Sequence, residues 1–430
     1  MSSSRRFFRD KVFALPLSGE SFLLRRAGHS VLVDGGWDRD DVAKVLERHF
    51  PALDKIDAVI CTHGDGDHAE GLPQFLLTWR GQIGQVWLPG RWVEVIPRLL
   101  QDPSGFMDEL IEQLRTIIHK NAPNPVTHSP FDRSEDDRHE TREMKGERDE
   151  MTPDDSGEDD TISDDIEPDF GSSDTDDDPP WFADLRAAKD LPSSATASRA
   201  FEKANTNITQ WKDGGSLSDK VALSWLGMVK TVKAIRGIAA AAIAQHLRVR
   251  WFDYEAFAKT RQPKGGIPGF LHPINAREQA PVPSNLKLLM ALTLINRESL
   301  VFYAPPSWRR LGVLFCGDSP LGDGRGFKQS FLRETARPFY HIISTAPHHG
   351  SDSNKAAYRH VGEWADVAVF LRAGGNIYHP GQTFKDLVEA VKLCAKCPAK
   401  AQVPSIVGVE ARDWPGWFMP RIIGDPCKCV

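Results

Sequence analysis

The stretch Thr62-His63-Gly64-Asp65-Gly66-Asp67-His68 constrains this chain more than any other. It closes an apolar run, Asp57 to Cys61, and sets four potential metal ligands within six residues, with glycines between them. A strand that ends in a Gly-relaxed turn can aim several short side chains at one point, because glycine has no Cβ to clash and tolerates positive φ. His and Asp together suit borderline to hard divalent ions such as Zn²⁺, Mn²⁺ or Fe²⁺. Taken alone, the heptapeptide also reads as a polar surface loop after a buried strand.

The pattern of an apolar run ending in a ligand-type residue recurs. Ser30 to Val33 runs into Asp34-Gly35-Gly36, and Leu311 to Cys316 into Gly317-Asp318. His341 to Ala346 runs into Pro347-His348-His349-Gly350-Ser351, and Ala365 to Leu371 leads to Tyr378-His379-Pro380. Singly, Asp34 and Asp318 read equally well as turn residues, and His379 as a structural histidine in a Pro turn. Together they are more specific, because strand ends in a layered α/β fold converge on one edge of the sheet, where sites form.

The intervening segments carry helical spacing at 38–50, 69–79, 91–100 and 106–119, and again in the Ala-rich Val221 to Leu247. A helix is also expected at Phe327 to Ala336 and at Thr383 to Leu393. Strands are expected at Leu286 to Leu294, Ser299 to Ala304 and Ala401 to Val407. Alternating strands and helices give an α/β fold. Residues 121–180 break the pattern: apolar residues are sparse, and Asp132 to Asp178 holds 22 Asp/Glu against 5 Lys/Arg. Such a stretch buries too little surface to offset its ordering entropy, so a disordered acidic insertion is expected. The organisation expected is therefore a first half at 1–120, the acidic insertion at 121–180, a helical insertion and connector at 181–284, a second half at 285–410 and a tail at 411–430.

The net charge of −6 hides an uneven distribution: the acidic stretch carries −17 and the remainder +11. A basic body favours polyanionic partners such as nucleic acid, and the acidic or helical insertion offers a surface for a protein partner. No apolar run is long enough to span a bilayer and no signal peptide is evident, so a cytoplasmic protein is expected. Of six cysteines, Cys61 and Cys316 end apolar strands, while Cys394-Ala-Lys-Cys397 and Cys427-Lys-Cys429 have a spacing that permits a four-thiolate zinc site.

On these residues the chain resembles a metallo-β-lactamase-fold hydrolase, whose signature is Thr-His-x-His-x-Asp-His after a strand. Asp65 stands where that signature usually has its second His. With Asn296…Ser299, His348-His349-Gly350-Ser351 and Asn376-Ile-Tyr378-His379-Pro380, this departure resembles a narrower group, the hydrolase domain of the DNA-uptake protein ComEC and its soluble relatives. The resemblance covers about 10–120 and 285–410. It implies an αββα sandwich with two divalent metal ions, Zn or Mn or also Mg, between its sheets. Carried over, His63 and Asp65 hold one ion and Asp67 and His68 the other; Asp318 bridges, and His348 or His349 is the late ligand. Asp34 would orient a ligand from behind, Asp67 would also steer the attacking water, and His379 would donate a proton or contact phosphate. The separate His that many members place before the bridging Asp has no counterpart here, which makes the site richer in oxygen and shifts preference from Zn²⁺ towards Mn²⁺ or Mg²⁺. The expected activity is a phosphodiesterase or nuclease. The alternatives are a small-molecule hydrolase acting on a cyclic nucleotide, lactone or thioester, or an effector subunit active only with a partner.

Overall fold

The computed structural model describes residues 10–121, 126, 168–171, 178–281, 283, 288, 292, 298–307, 310–375, 379–397, 404–411, 420–427 and 429. The first part of the chain forms β1 (Lys11–Ala14), β2 (Phe22–Arg26), β3 (His29–Val33), β4 (Lys55–Ile60), β5 (Gln82–Pro89) and β6 (Arg248–Asp253). There follow β7 (His272–Pro273), β8 (Arg277–Glu278), β9 (Phe302–Ala304), β10 (Gly312–Phe315), β11 (Gly322–Asp323), β12 (Gln329–Ser330), β13 (Ile342–Thr345), β14 (Val367–Arg372), β15 (Val391–Cys394), β16 (Val407–Glu410) and β17 (Arg421–Ile423).

Among the described residues these strands make one sheet in the order β17-β16-β1-β2-β3-β4-β5-β6-β8, a second in the order β15-β14-β13-β10-β9-β7, and a β11–β12 pair. The inward positions of both sheets interdigitate: Val12, Leu24, Val31, Ile60 and Trp87 of the first meet Phe302, Val313, Ile343, Val369 and Leu371 of the second. The period-2 alternation of each strand sends the other face outward. Phe13, Leu32, Val59 and Val86 thus pack under helices through Leu46, Phe75, Phe106, Trp225 and Ile235. On the far side Leu314, Ile342 and Phe370 pack under Phe257, Tyr358 and Phe384. Helices, sheet, sheet and helices make four layers, the αββα arrangement.

The long helix Asp219–Ala244 starts at Ser218, whose hydroxyl accepts from the Val221 amide. It lies against the metal-loop sequence, and a Cβ placed on Gly64 would come within 2.8 Å of Thr231 Cγ2. Gly64 is what permits that approach. The strand β6 directly after this helix pairs in parallel with β5, from Gln85↔Arg248 to Pro89↔Phe252.

Local expectations differ from the structure in three places. The helix expected over Thr383 to Leu393 is a single turn, Gln382–Lys385, followed by β15. Parallel pairing of Val391–Cys394 with Val369–Arg372 overrides the local spacing there. Phe327 to Ala336 is a pair of 3₁₀ turns flanking β12, with Ser330 Oγ accepting from Leu332 N. The last core strand lies at Val407–Glu410, just beyond the expected Ala401 to Val407. Most of Leu286 to Leu294 and of the acidic stretch lies outside the described residues.

Candidate metal centre

Five chain segments meet at one end of the sandwich. β3 ends in Asp34, β4 in Thr62 to His68, β10 in Asp318, and β13 in His348-His349, while the β1–β2 turn contributes Glu20. These segments are laced together by backbone bonds: Asp34 N to Ile60 O, Gly35 N to His68 O, Glu20 N to Asp67 O and His348 N to Gly317 O, at 2.7–3.0 Å. Asp40 fastens two of them, its carboxylate accepting from the Ser18, Gly19 and Trp37 amides at 2.9–3.0 Å.

His68, His63 and His349 are each held by one ring nitrogen and point the other inward. His68 Nδ1 donates to Asp34 Oδ2 at 2.8 Å, leaving Nε2 3.2 Å from Asp318 Oδ1. His63 Nδ1 lies 3.0 Å from Thr62 Oγ1, which itself donates to Asp34 Oδ2, and its Nε2 lies 3.5 Å from Asp318 Oδ2 and 3.8 Å from Asp65 Oδ2. His349 Nδ1 faces Ala373 O at 3.1 Å, and its Nε2 is 2.9 Å from Asp67 Oδ2. A hydroxyl that gives its proton to Asp34 accepts from His63 Nδ1–H, so this chain of bonds leaves a lone pair on the inward nitrogen. Asp34 is buried and held at φ 60°, a left-handed conformation that Asp tolerates better than most residues. It supports Thr62 N, Thr62 Oγ1 and His68 at once.

Asp318 sits at the middle. Its amide donates to Ser299 Oγ at 3.1 Å, and a Cβ on the preceding Gly317, at φ 49°, would fall 2.4 Å from that oxygen. His348 Nε2 lies 3.4 Å from Asp318 Oδ2. His348 and His349 both adopt left-handed φ, at 48° and 52°, which is costly for His and persists where surroundings over-determine it. Here Arg372 Nε donates to His349 O at 2.7 Å. His379 stacks on the His349 ring at 5.8 Å between centroids and approaches the His348 ring at 5.9 Å.

The donors form two overlapping groups. Glu20, His68, Asp318 and His349 are all buried and present one ligand atom each within 4.8 Å of one another; His63, Asp65 and Asp318 do the same nearer the surface. Glu20 escapes sequence reasoning, because Ser18-Gly19-Glu20-Ser21 reads as a plain hairpin turn. It is 1% exposed, and its Oε2 lies 3.1 Å from His349 Nδ1.

This donor set fits divalent cations. Glu20 Oε2, His63 Nε2, His68 Nε2, Asp318 Oδ1 and His349 Nε2 are buried and make no hydrogen bond among the described residues. Orphaned polar atoms normally carry a penalty of about 1–3 kcal/mol each, and here they point at one another. Electrostatics agree. Burial pushes the Glu20 carboxyl up to about 7 against the pull of His349 and His68. Burial disfavours an imidazolium at His68 and His349, yet surrounding carboxylates hold both above the ordinary histidine value, His349 at about 9. Burial likewise disfavours charge on Asp318, but His348, His68 and His63 hold it well below the carboxylate range. Four carboxylates, Glu20, Asp65, Asp67 and Asp318, bring negative charge that offsets that of divalent ions.

Residues 14–94 match the family model of the Metallo-beta-lactamase superfamily. A domain of this superfamily implies a metal-dependent hydrolase. The matched segment holds Glu20, Asp34 and the whole Thr62 to His68 loop, while Asp318 and His348-His349 come from the second sheet, beyond it. No curated protein matches the chain. No helix among the described residues is long and apolar enough to cross a membrane.

Proposed function

We propose that the protein is a two-metal phosphodiesterase that cleaves nucleic acid, of the ComEC-like kind. The observation that carries this reading is the shared carboxylate: Asp318 belongs to both donor groups of a centre that offers four carboxylates beside its imidazoles. In this reading His63, Asp65 and Asp318 would hold the outer ion, with His348 beside them, and Asp67, His68, His349 and Asp318 would hold the inner one, with Glu20 behind. Oxygen-rich donors favour Mn²⁺ or Mg²⁺ over Zn²⁺. When bound, two such ions supply a water nucleophile at neutral pH and neutralise charge on the phosphate oxygens.

The chain's own residues do the rest. Asp67 accepts a hydrogen bond from the attacking water and orients it. Asp34 keeps the tautomer of His68, and through Thr62 that of His63, fixed. Burial and the neighbouring His349 and His348 bring His379 down to about 4, so it is neutral near pH 7 and serves as an N–H donor to a phosphate oxygen. Beside the metal loop Trp37 is half-buried, against Gly66, with Arg39 and Lys230 over its ring at 5.2 and 5.7 Å. An aromatic face flanked by two cations suits a base and its phosphate. The +11 balance outside the acidic stretch supports a polyanionic substrate.

The test is cleavage of single- and double-stranded DNA and RNA by protein loaded with Mn²⁺, Mg²⁺ or Zn²⁺. Metal-dependent cleavage that Asp67→Ala abolishes is expected. Intact substrates under every metal would end the nuclease reading, and full activity in Asp67→Ala would end the site assignment.

A further inference from the structure

A second cluster of soft ligands lies one arginine side chain away from the metal centre. Cys394 ends β15 and Cys397 follows it, while Cys427 and Cys429 follow β17. β15 and β17 are the terminal strands of the two different sheets. The four sulfurs nevertheless converge: Cys397 Sγ is 3.1 Å from Cys427 Sγ and 3.3 Å from Cys429 Sγ, and Cys394 Sγ is 3.9 Å from Cys429 Sγ. Cys394, Cys427 and Cys429 present their sulfurs within 4.8 Å of one another. All four are free thiols.

These separations bracket the edge of a tetrahedron with metal–sulfur bonds of about 2.3 Å, which is about 3.8 Å. They are too short for a multi-iron cluster, whose inorganic sulfides hold the thiolates apart. Two further details belong to a metal knuckle. The Cys429 amide donates to Cys427 Sγ at 3.3 Å, and the Cys427 amide docks on Lys392 O at 2.6 Å, fixing the tail on β15. Four thiolates around one divalent ion carry a net charge of −2, and a buried cation stands ready for it. Arg372 is 1% exposed, no carboxylate pairs with it among the described residues, and its Nη1 donates to Lys396 O at 2.8 Å, inside the Cys394–Cys397 turn.

We propose that Cys394, Cys397, Cys427 and Cys429 bind a structural zinc ion that clamps the edges of the two sheets and, through Arg372, braces the His349 loop. Arg372 reaches the backbone of His349 from one side and that of Lys396 from the other, so the thiolate turn is a buttress for a residue of the metal centre. Arg372 is a positioning residue.

Cobalt substitution reads this site apart from the nitrogen and oxygen centre, because only thiolates give an intense near-ultraviolet charge-transfer band. Co²⁺-loaded protein is expected to show that band at one equivalent per chain, together with tetrahedral visible bands, and to lose both to added Zn²⁺. Cys397→Ser and Cys427→Ser should each lose the band, whereas Asp318→Ala should keep it. Thiol counting on unreduced, unfolded wild type gives a reading independent of how the variants fold, and six titratable thiols are expected. Absence of the band, loss of the band in Asp318→Ala, four thiols locked as two disulfides, or iron as the resident metal would each overturn the proposal.

Discussion

The two donor groups that meet at Asp318 are built differently. In the inner group, Glu20, His68, Asp318 and His349 are all buried, and both imidazoles are braced from behind, by the Asp34 carboxylate and the Ala373 carbonyl. In the outer group, His63 rests on two hydroxyls, Thr62 and Ser299, while Asp65 and His348 leave about a third of their side chains exposed, at 34% and 29%. A ligand held by a fixed, buried acceptor keeps its rotamer and tautomer without a metal; a ligand at the rim must be ordered on binding. On the proposed two-ion reading the inner position would therefore be preorganised and retained, and the outer one exchangeable and open to substrate.

That contrast can be broken most decisively at the shared residue. Asp318→Ala should empty both positions and reduce hydrolysis by roughly a thousandfold or more, the several kcal/mol that such ions supply, as read by kcat/KM and metal analysis together. Asp34→Asn comes next. Asn tolerates the left-handed backbone at this position but has one acceptor oxygen, so it cannot accept from the Thr62 amide on one side and from Thr62 Oγ1 and His68 Nδ1 on the other; inner-site affinity should fall about 10–100-fold, measured by metal titration. Asp65→Ala should act on the outer position alone: about a tenfold loss, or 1.4 kcal/mol, since water can replace a ligand already a third exposed, with the inner ion still bound at full occupancy. Equal losses at both positions would erase the distinction. The smallest effect belongs to Trp37→Ala, with substrate affinity weakened about fivefold, the lower end of base stacking at about 1 kcal/mol. Filter binding to a single-stranded oligonucleotide would check it, and metal content should stay constant.

Much of this site is visible in the sequence because His and Asp sit directly at the ends of apolar strands, where the layered fold gathers them. Thr62 to His68, Asp318 and His348-His349 are all of that kind, and so is Asp34. Glu20 is not: it belongs to a hairpin turn, and only the crossing of that turn over the Asp34 loop, where a Cβ on Gly19 would fall 2.5 Å from Gly36 Cα, brings it to the centre. Arg372 is also silent in sequence, since an arginine after Val-Phe-Leu reads as the charged end of a strand rather than a buried brace. Trp37 becomes informative only when Lys230, far along the chain, arrives over its ring. Local pattern fails in the same way at Thr383 to Leu393, where a strand partner, not spacing, decides the conformation.

The central claim, two ion positions sharing Asp318, is tested most directly by counting Mn²⁺, for which thiolates are poor ligands. Wild type should bind two Mn²⁺ per chain, tight and weak, with an exchange-coupled paramagnetic signal at saturation; Asp65→Ala should keep the tight one and bind the weak one about tenfold less well, and Asp318→Ala should bind none. A single uncoupled Mn²⁺ in wild type, or undiminished binding in Asp318→Ala, would contradict it.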